Sequence, residues 1–596
     1  MPTYTPPIAD TRFVLDKVLG LDRYANLPGF EAATQDTVDA ILEEGGKLCA
    51  EVFFPLNQSG DEQGCQRHDD TSVTTPTGFR DAYRQLAEGG WIGLGSPEAY
   101  GGQGLPHVLS TAFEEYLISS NVAFAMYPGL TQGAMAALRA VGSDEQKALY
   151  LPKMITGAWT GTMNLTEPHC GTDLGLIKTR AEPKGDGSFS VTGTKIFISA
   201  GEHDLSENIV HLVLAKLPGA PEGSKGISLF IVPKFLPDAD GNPGARNGVS
   251  CGSIEEKMGI HANSTCVMNY DGATGWLLGE ENKGLAAMFI MMNAARLGVG
   301  LQGLGIAETA YQNAVAYAKD RRQGRALTGA AEPDKPADTL FVHPDVRRML
   351  MEGKASLEAA RALTLWGALQ VDLSHKAPDE AERQAADELI SLITPVIKGY
   401  LTDLGYEIAT KSQQVFGGHG YIREYGMEQY VRDARIAMIY EGTNGVQAMD
   451  LVGRKLPRHG GKAAMALFGL ISADIAEAKD SPQAELAGHL EKAVGQLQAG
   501  AMWLMQNGVK DPNNAGAAAY PLMTMMGIVS LGWMWLKMAR AAQGGLDAGD
   551  GDKTFLEAKL VTARFFAERM LPDVGALRRK LEGGAEAIMA LPVEAF

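Results

Sequence analysis

The spacing of apolar residues is helical over the first patterned part of the chain. Segments such as TQDTVDAILEEGGKLCAEVFFPL (34–56) and SDEQKALYLPKMITG (143–157) place apolar side chains three and four positions apart, which is typical of amphipathic helices. The second segment begins with a Ser-x-x-Gln capping signal. The pattern predicts a helical domain over residues 36–160, preceded by an N-terminal extension over residues 1–35.

The pattern then changes to short β-branched runs separated by Gly, Pro, Asn and Asp. These runs are SFSVTGTKIFISAG (188–201), NIVHLVLAKL (208–217), GISLFIVPKFL (226–236) and TCVMNYDGATGWLL (265–278). Their composition indicates strands, and their number predicts a β-barrel or sandwich domain over residues 161–280. Helical spacing returns over residues 281–455, with a loop near 328–345, and continues in an additional helical domain over residues 456–596. The predicted fold class is therefore α+β and multidomain.

A glycine-rich string within the second helical region matches a nucleotide-binding motif. GVGLQG, from Gly298 to Gly303, has the G-x-G-x-x-G spacing of dinucleotide-binding turns. That motif normally follows a strand and opens a helix, but here helical segments lie on both sides. We therefore expect these glycines to allow close helix packing, and any dinucleotide to be held elsewhere.

One uncharged segment raises the question of a membrane span. Residues 517–536, AAAYPLMTMMGIVSLGWMWL, are nearly long enough to cross a bilayer. The segment is isolated, contains Pro521 and is flanked by polar helical sequence. A helix that is apolar all round can also form the centre of a helical bundle, and we expect a buried core helix here.

Composition excludes several classes of protein. The net charge of −18 over 596 residues argues against a protein that binds nucleic acid or an anionic membrane. The five cysteines show no CxxC spacing, which indicates a reducing compartment and neither a disulfide framework nor a zinc site. The first twenty residues lack the pattern of a secretory signal. We expect a cytoplasmic protein.

Several segments occur in the order found in one enzyme family. They are MNLTEPHCGTDLGLIKTRAE (163–182), GTKIFISAG (193–201), AYAKDRRQGRAL (316–327), QQVFGGHGYIREYGMEQYVRDARI (413–436) and IYEGTNGVQ (439–447). Together they resemble the acyl-CoA dehydrogenase family. The length and the additional C-terminal region resemble its longer branch, which includes bacterial 3-(methylthio)propanoyl-CoA dehydrogenase. The resemblance implies a helical N-terminal domain, a β-barrel and a C-terminal helical bundle, with FAD as cofactor.

The resemblance gives a role to Glu441, which follows an apolar run and precedes Gly-Thr-Asn-Gly. It implies that Glu441 removes the α-proton of an acyl-CoA while the β-hydride passes to flavin N5. A carboxylate needs desolvation to act as such a base near neutral pH. The alternative, a solvated glutamate at a helix end, is the common state of this residue type. Some family members carry the base beside an arginine on an earlier helix, but here that position is Ala295, next to Arg296.

The resemblance also implies contacts to FAD and to the substrate. The flavin segments contribute Met163, Leu165, Thr166, Gly171, Thr172, Phe197, Ile198 and Ser199. Arg321, Gln414, Gly417, Gly418 and Gly420 resemble residues that hold FAD across a subunit boundary, and Thr443 completes the cofactor set. Thr172, Asn293, Arg296, Tyr440 and Gly442 are expected on the acyl-CoA side. His419 is expected to belong to the glycine loop, and no metal site is predicted.

This sequence departs from the family pattern at four positions, one of which is Thr172 in place of serine. Phe197 and Ser199 replace the commoner Trp and Thr of the second flavin segment, which keeps an aromatic ring and a hydroxyl but reduces the shielding. Gly445 stands where glutamine is common. For Arg322, a surface ion pair is as reasonable an interpretation as a phosphate contact.

Three functions are compatible with these residues. The first is a dehydrogenase that converts 3-(methylthio)propanoyl-CoA to 3-(methylthio)acryloyl-CoA in dimethylsulfoniopropionate breakdown, or oxidises short and medium acyl-CoAs broadly, and passes electrons to an electron-transfer flavoprotein. The second is an acyl-CoA oxidase, and the third a silent homologue. Glu441 and the flavin segments argue against the third. The cross-subunit residues imply a homodimer or a dimer of dimers.

Overall fold

The computed structural model describes residues 2–596, which form eighteen α-helices and eleven β-strands. The strands are β1 Gln66–Arg67, β2 Val73–Thr74, β3 Trp159–Asn164, β4 Arg180–Pro183, β5 Phe189–Ser199, β6 Asn208–Lys216, β7 Ile227–Pro233, β8 Phe235–Pro237, β9 Pro243–Arg246, β10 Val249–Ile254 and β11 Thr265–Leu277. The helices up to the end of the sheet are α1 Ile8–Phe13, α2 Gln35–Leu48, α3 Pro55–Gln63, α4 Phe79–Glu88, α5 His107–Ser120, α6 Val122–Val141 and α7 Asp144–Ile155.

The remaining helices all follow β11. They are α8 Gly284–Asp320, α9 Pro344–Lys376, α10 Glu380–Val415, α11 Met427–Ile436, α12 Asn444–Asp450, α13 Lys462–Ala478, α14 Ala484–Gly508, α15 Pro512–Ala548, α16 Lys553–Arg569, α17 Asp573–Glu582 and α18 Glu586–Met589. The chain forms two compact units. The helical unit comprises residues up to Gly46, Pro106–Ser119 and Val299–Phe596, and the barrel unit comprises Lys47–Leu105 and Ser120–Gly298.

The main sheet closes into a barrel. Its strand order is β10-β11-β5-β4-β6-β3, and β7 pairs with both β11 and β6, so that β11, β5, β4, β6 and β7 form a closed ring. Val191, Val213 and Phe230 are among the fully buried side chains that fill it. Closure leaves no free edge within the ring. The predicted β domain is confirmed and is a barrel, with its first strand beginning at Trp159.

The predicted capping signal is also confirmed at the start of α7. Ser143 Oγ accepts from the backbone N–H of Gln146, and the Gln146 side chain accepts from the backbone N–H of Ser143 at 3.0 Å. This reciprocal pair satisfies two backbone donors that the first turn of a helix otherwise leaves unpaired.

The glycine string of α8 serves helix packing, as predicted. A Cβ at Gly300 would lie 2.4 Å from Ile397 Cγ2, and a Cβ at Gly303 would lie 2.4 Å from the carbonyl oxygen of Leu401. Both partners belong to α10, so α8 and α10 approach to backbone contact. Any larger side chain at these two glycines would push the helices apart.

The additional C-terminal region is built around α15. Leu531 and Trp535 of this helix are fully buried, and Trp535 Nε1 donates to the carbonyl oxygen of Ala355 in α9 at 2.8 Å. Two helices, α8 and α15, are long and apolar enough to cross a membrane by length and composition. Two thirds of the most apolar window of α15 is buried against other helices of this unit, as expected of a core helix.

Buried charges connect the two ends of the helical unit. Arg361 of α9 is 1% exposed and lies 2.7 Å from both Glu115 of α5 and Glu308 of α8. It also donates to Asp10 of α1, which pairs in turn with Lys559 of α16. Lys559 Nζ makes a further ion pair with Glu358 at 2.8 Å, so one cluster holds residues from both terminal regions.

Candidate active site

The two predicted flavin segments lie next to each other in the barrel unit. The backbone N–H of Ile196 in β5 donates to the carbonyl oxygen of Thr166 at 2.9 Å, just after the end of β3. Lys195 Nζ donates to the carbonyl oxygen of Leu165 at 2.9 Å. The loop that begins TEP is therefore fixed against the end of β5.

A buried ion pair, which the sequence did not reveal, fixes this loop. Lys195 is fully buried and lies 2.8 Å from Glu167 Oε1, while Glu167 also accepts from the backbone N–H groups of Lys178 at 2.7 Å and Thr179 at 3.0 Å. Burial alone would raise the pKa of Glu167, but the Lys195 ammonium and these hydrogen bonds outweigh it and lower that pKa. An available signal was the position of Lys195, which lies four residues after the buried Val191 and so on the same face of β5.

Phe197 is the most unusual residue of the second segment. Its side chain is 60% exposed, although it is large and apolar, and its φ of +58° lies in the left-handed region. Ala200 adopts a similar φ of +55°. A phenylalanine in this conformation is strained, and such strain clusters at functional sites.

The other flavin-segment residues differ in how far they could contact a cofactor. Ile198 is 2% exposed and packs in the barrel core, so only its backbone can contact a cofactor. Gly171 and Thr172 are exposed, whereas Met163, Leu165, Thr166 and Ser199 are half-buried. Donor atoms of Glu167, His169 and Cys170 lie within 4.8 Å of one another, a spacing that could hold a metal ion, but Lys195 and Thr179 already engage the Glu167 carboxylate.

Glu441 lies in the helical unit, in the turn between α11 and α12. Its side chain is half-buried, and its φ of +57° is again left-handed. Gly442 follows with a φ of +84°, and Thr443 caps α12 by accepting from the backbone N–H of Val446 at 3.3 Å. The Glu441 side chain is thus presented from a sharp turn at a helix start. The left-handed backbone conformation distinguishes Glu441 from an ordinary carboxylate at a helix end.

Buried polar side chains hold this turn through its carbonyl groups. Gln447 Nε2 donates to the carbonyl oxygens of Glu441 at 3.1 Å and Gly442 at 3.3 Å. Lys398, fully buried in α10, donates to the Gly442 carbonyl at 2.8 Å and to Asn444 Oδ1 at 2.8 Å. Lys398 is far from the turn in sequence and was not predicted.

Tyr440 precedes Glu441 and is anchored to α8. Its hydroxyl donates to Gln302 Oε1. Burial raises the pKa of Tyr440 well above its usual value, so the hydroxyl stays protonated and remains a donor. This contact fixes the backbone on the other side of Glu441.

The predicted cross-subunit residues gather at one end of α8. Tyr317 stacks on Phe416 with ring centroids 4.1 Å apart, and its hydroxyl lies 2.8 Å from His419 Nδ1. Arg321, one turn later, is exposed, and so are Gln414, Gly417 and Gly418, whereas Gly420 is buried. Arg322 instead pairs with Glu332 at 2.7 Å, as the ion-pair interpretation predicted.

The two residues expected near CoA differ in exposure. Asn293 is exposed, whereas Arg296 is 6% exposed and donates to Asn293 Oδ1 at 3.4 Å. Both belong to the barrel unit. Asn293 is therefore the member of the pair that presents its side chain to the surface of that unit.

Comparison with known proteins identifies the family. Models of the acyl-CoA dehydrogenase N-terminal, middle and C-terminal domains match residues 62–158, 162–273 and 282–456. A fourth, the acetyl-CoA dehydrogenase C-terminal-like model, matches residues 467–592. The 3-methylmercaptopropionyl-CoA dehydrogenase of Ruegeria pomeroyi is 43% identical, over 98% of this chain and 99% of its own.

The chain belongs to the acyl-CoA dehydrogenase family. It is an FAD-dependent oxidoreductase that acts on the CH–CH bond of acyl-CoA thioesters. The broad-specificity linear acyl-CoA dehydrogenase of Mycobacterium tuberculosis is 36% identical, with 100% of both chains covered. Among solved structures, the acyl-CoA dehydrogenase of Bacillus anthracis complexed with FAD matches with a TM-score of 0.74 and 20% identity, over 97% of this chain and 92% of that one. This last likeness shows the fold.

The residues of this acyl-CoA dehydrogenase fit FAD on structural grounds. An exposed aromatic ring on strained backbone at Phe197 suits the face of an isoalloxazine ring. A Cβ at Gly417 or Gly418 would meet no atom within 4 Å, so the backbone there is open to a ligand. The exposed Arg321 guanidinium at the same end of α8 suits a phosphate group.

Proposed function

We propose that this enzyme oxidises 3-(methylthio)propanoyl-CoA to 3-(methylthio)acryloyl-CoA, with Glu441 as the base. The observation that carries the assignment of the base is the left-handed Glu441, held by hydrogen bonds on both sides of its turn. The full-length match to a 3-methylmercaptopropionyl-CoA dehydrogenase supports the substrate.

The protein residues supply a base and its alignment. FAD, when bound, supplies the acceptor for the β-hydride. Glu441 takes the α-proton, which the thioester carbonyl acidifies, and the half-buried position of its carboxylate limits competition by water. Tyr440 and Gly442 are held by Gln302 and Lys398, so the backbone on either side of the base is fixed before substrate binds.

Turnover of a set of acyl-CoAs tests the substrate. We expect the highest kcat/KM with 3-(methylthio)propanoyl-CoA and an about 10- to 100-fold lower value for butanoyl-CoA, whose acyl group is one chain atom shorter, because one methylene in an apolar pocket is worth ~1–3 kcal/mol. The acyl group of pentanoyl-CoA has the same number of chain atoms as the thioether substrate, so its kcat/KM should be close to that of the thioether substrate. Thioether sulfur behaves much like a methylene in such a pocket. A clear preference for long straight-chain acyl-CoAs would instead support a broad-range enzyme, like the mycobacterial relative.

We further propose an electron-transfer flavoprotein as the electron acceptor and the cytoplasm as the location. All five cysteines are free, which suits a reducing compartment such as the cytoplasm.

The electron acceptor is tested by comparing the rate of flavin reoxidation by oxygen with the rate of reoxidation by an electron-transfer flavoprotein. Fast reoxidation by oxygen alone would identify an oxidase.

The exposed group around Arg321 supports a homodimer or dimer of dimers in which this end of α8 contacts the FAD of the neighbouring subunit. Arg321→Gln should lower FAD retention and weaken the association of subunits. Lys319 is an exposed neighbour, and neutralising it by Lys319→Gln should change neither property. Sedimentation and FAD absorbance measure both effects. A wild-type monomer that retains one FAD per chain would contradict the assignment.

A further inference from the structure

Helix α15 of the additional C-terminal region lies directly against α10, behind the Glu441 turn. A Cβ at Gly399 would lie 2.4 Å from Met523 Sδ, and a Cβ at Gly527 would lie 2.2 Å from Tyr400 Cδ1. Glycine at both crossings leaves the space that these side chains occupy. One turn before Met523, the Tyr520 hydroxyl donates to Asp403 Oδ2.

Asp403 continues this contact toward the catalytic turn. Its Oδ1 accepts from Asn444 Nδ2 at 2.7 Å, and the same amide nitrogen lies 2.9 Å from the carbonyl oxygen of Gly399. Asn444 is 4% exposed and stands three residues after Glu441. Asp403 is thus the link between a tyrosine of the additional region and the first residue of α12.

Asn444 in turn connects to the residue that follows the base. Lys398 Nζ lies 2.8 Å from Asn444 Oδ1 and 2.8 Å from the Gly442 carbonyl. A buried amide that donates on one side and accepts on the other has a single orientation. The path from Tyr520 to the Glu441 turn therefore consists of four consecutive polar contacts.

We propose that Tyr520 is a positioning residue for Glu441, acting through Asp403, Asn444 and Lys398, so that the additional C-terminal region completes the catalytic turn. This inference rests on the proposed role of Glu441 as the base. A non-glycine residue in the left-handed region persists only where its surroundings over-determine it, and the contact chain is such a surrounding. Loss of the Tyr520 hydroxyl removes one of the two donors that orient Asp403.

The experiment compares Tyr520→Phe and Asp403→Asn with wild type and with Thr524→Val. Thr524 lies one turn from Tyr520 on the same helix and donates only to the Tyr520 carbonyl, at 3.0 Å. Two sets of measurements are made on each holoenzyme. They are the rate of anaerobic flavin reduction at saturating 3-(methylthio)propanoyl-CoA, with its substrate dissociation constant, and the deuterium exchange of backbone amides 438–450.

We expect Tyr520→Phe to slow flavin reduction about tenfold, since small misplacements of a reacting group are costly in rate. Substrate affinity should stay within about twofold, because the base acts in the chemical step. Amides 438–450 should exchange faster. Asp403→Asn should show the same pattern, and Thr524→Val should match wild type in both measurements.

The inference is overturned if Tyr520→Phe reduces the flavin at the wild-type rate, even if its amides exchange faster. It is also overturned if amides 438–450 of Tyr520→Phe exchange at the wild-type rate. Tyr520 is 39% exposed and loses only a hydroxyl, so this variant decides even where Asp403→Asn fails to fold. If wild type is not reduced by any acyl-CoA, the proposed function fails. In that case the exchange of amides 438–450 still tests whether Tyr520 positions the turn. Unchanged exchange in Tyr520→Phe overturns that claim, and faster exchange supports it.

Discussion

Glu441 is the residue that we propose as the catalytic base, and its left-handed backbone is unusual for a non-glycine residue. Three left-handed non-glycine residues, Glu441, Phe197 and Ala200, occupy the segments that the family resemblance assigned to the base and the flavin. Local strain of this kind costs about 1–3 kcal/mol per residue and is retained where function needs the geometry. The motif alone could name these residues, but only the structure reveals their strain.

The Glu441→Gln variant tests the base directly. Glutamine keeps the size and hydrogen-bonding capacity but cannot accept the α-proton, so we expect flavin reduction to fall by at least about 10³-fold with little change in acyl-CoA affinity. Anaerobic rapid mixing with substrate measures the bleaching of the flavin absorbance. Bleaching at a rate near that of wild type would mean that another carboxylate is the base.

Glu115 provides a pH prediction. Burial raises the pKa of Glu115 to about 7, because desolvation exceeds the attraction of Arg361. A carboxyl whose pKa is higher in the folded state contributes stability that is complete below its unfolded pKa and is lost as pH rises through 7. Relative to Glu115→Gln, the wild-type free energy of unfolding should fall by about 2–3 kcal/mol between pH 5 and pH 8.

Denaturant titrations of both proteins across this pH range measure the difference. Glutamine retains an acceptor for Arg361 Nε, which lies 2.8 Å from Glu115 Oε1. Parallel pH dependence in the two proteins would show that Glu115 does not titrate there.

Among the elements, the end of β5 and the loop after β3 carry residues that we propose contact FAD. The buried Lys195–Glu167 pair fixes that loop through the Leu165 carbonyl and two backbone N–H groups. Removing one member of a buried pair leaves the other charge uncompensated.

Lys195→Met should therefore lower the free energy of unfolding by about 3–5 kcal/mol and release FAD. Lys184→Met is the matched control, because Lys184 is exposed and donates only to Thr274 Oγ1, at 2.7 Å. Chemical denaturation and FAD content measure the two effects. Full FAD retention in Lys195→Met would show that the loop keeps its form without the ion pair.

Sequence periodicity predicted the elements because it depends on local spacing. The alternation around Val191 and the capping residues Ser143 and Gln146 are visible within a few positions. Barrel closure by β7 and the contacts of Lys398 depend on partners tens of residues away. The motif around Glu441 could thus be found from sequence, but not the side chains from α10 that hold it.

At the scale of the whole molecule, the terminal regions are part of the helical core. Asp10 of α1 and Lys559 of α16 meet beside Arg361. Burial opposes ionisation of Asp10, but the attraction of Lys559 and Arg361 outweighs it and holds the pKa of Asp10 below its usual value. The additional C-terminal region is thereby joined to the family core by charge as well as by apolar packing.

Lys559→Met should destabilise the helical unit by about 3–5 kcal/mol, because Asp10 and Glu358 lose their shared cation while remaining buried. Lys553→Met on the same helix removes only an exposed pair with Glu557 at 3.7 Å and should change stability by less than about 0.5 kcal/mol. Denaturation monitored by circular dichroism compares the two. Equal effects of the two substitutions would mean that Lys559 contributes no more to the free energy of unfolding than an exposed lysine does.

The strain at Phe197 and Glu441 also has a consequence for protein engineering. Glycine adopts a positive φ without penalty, so replacing either residue by glycine relieves the backbone. A directed evolution experiment that selects for thermal tolerance alone would favour these substitutions, and each would remove a side chain to which we assign a role, the aromatic ring beside FAD or the carboxylate of the base. Selection for heat resistance in this enzyme should therefore be coupled to a screen for flavin reduction.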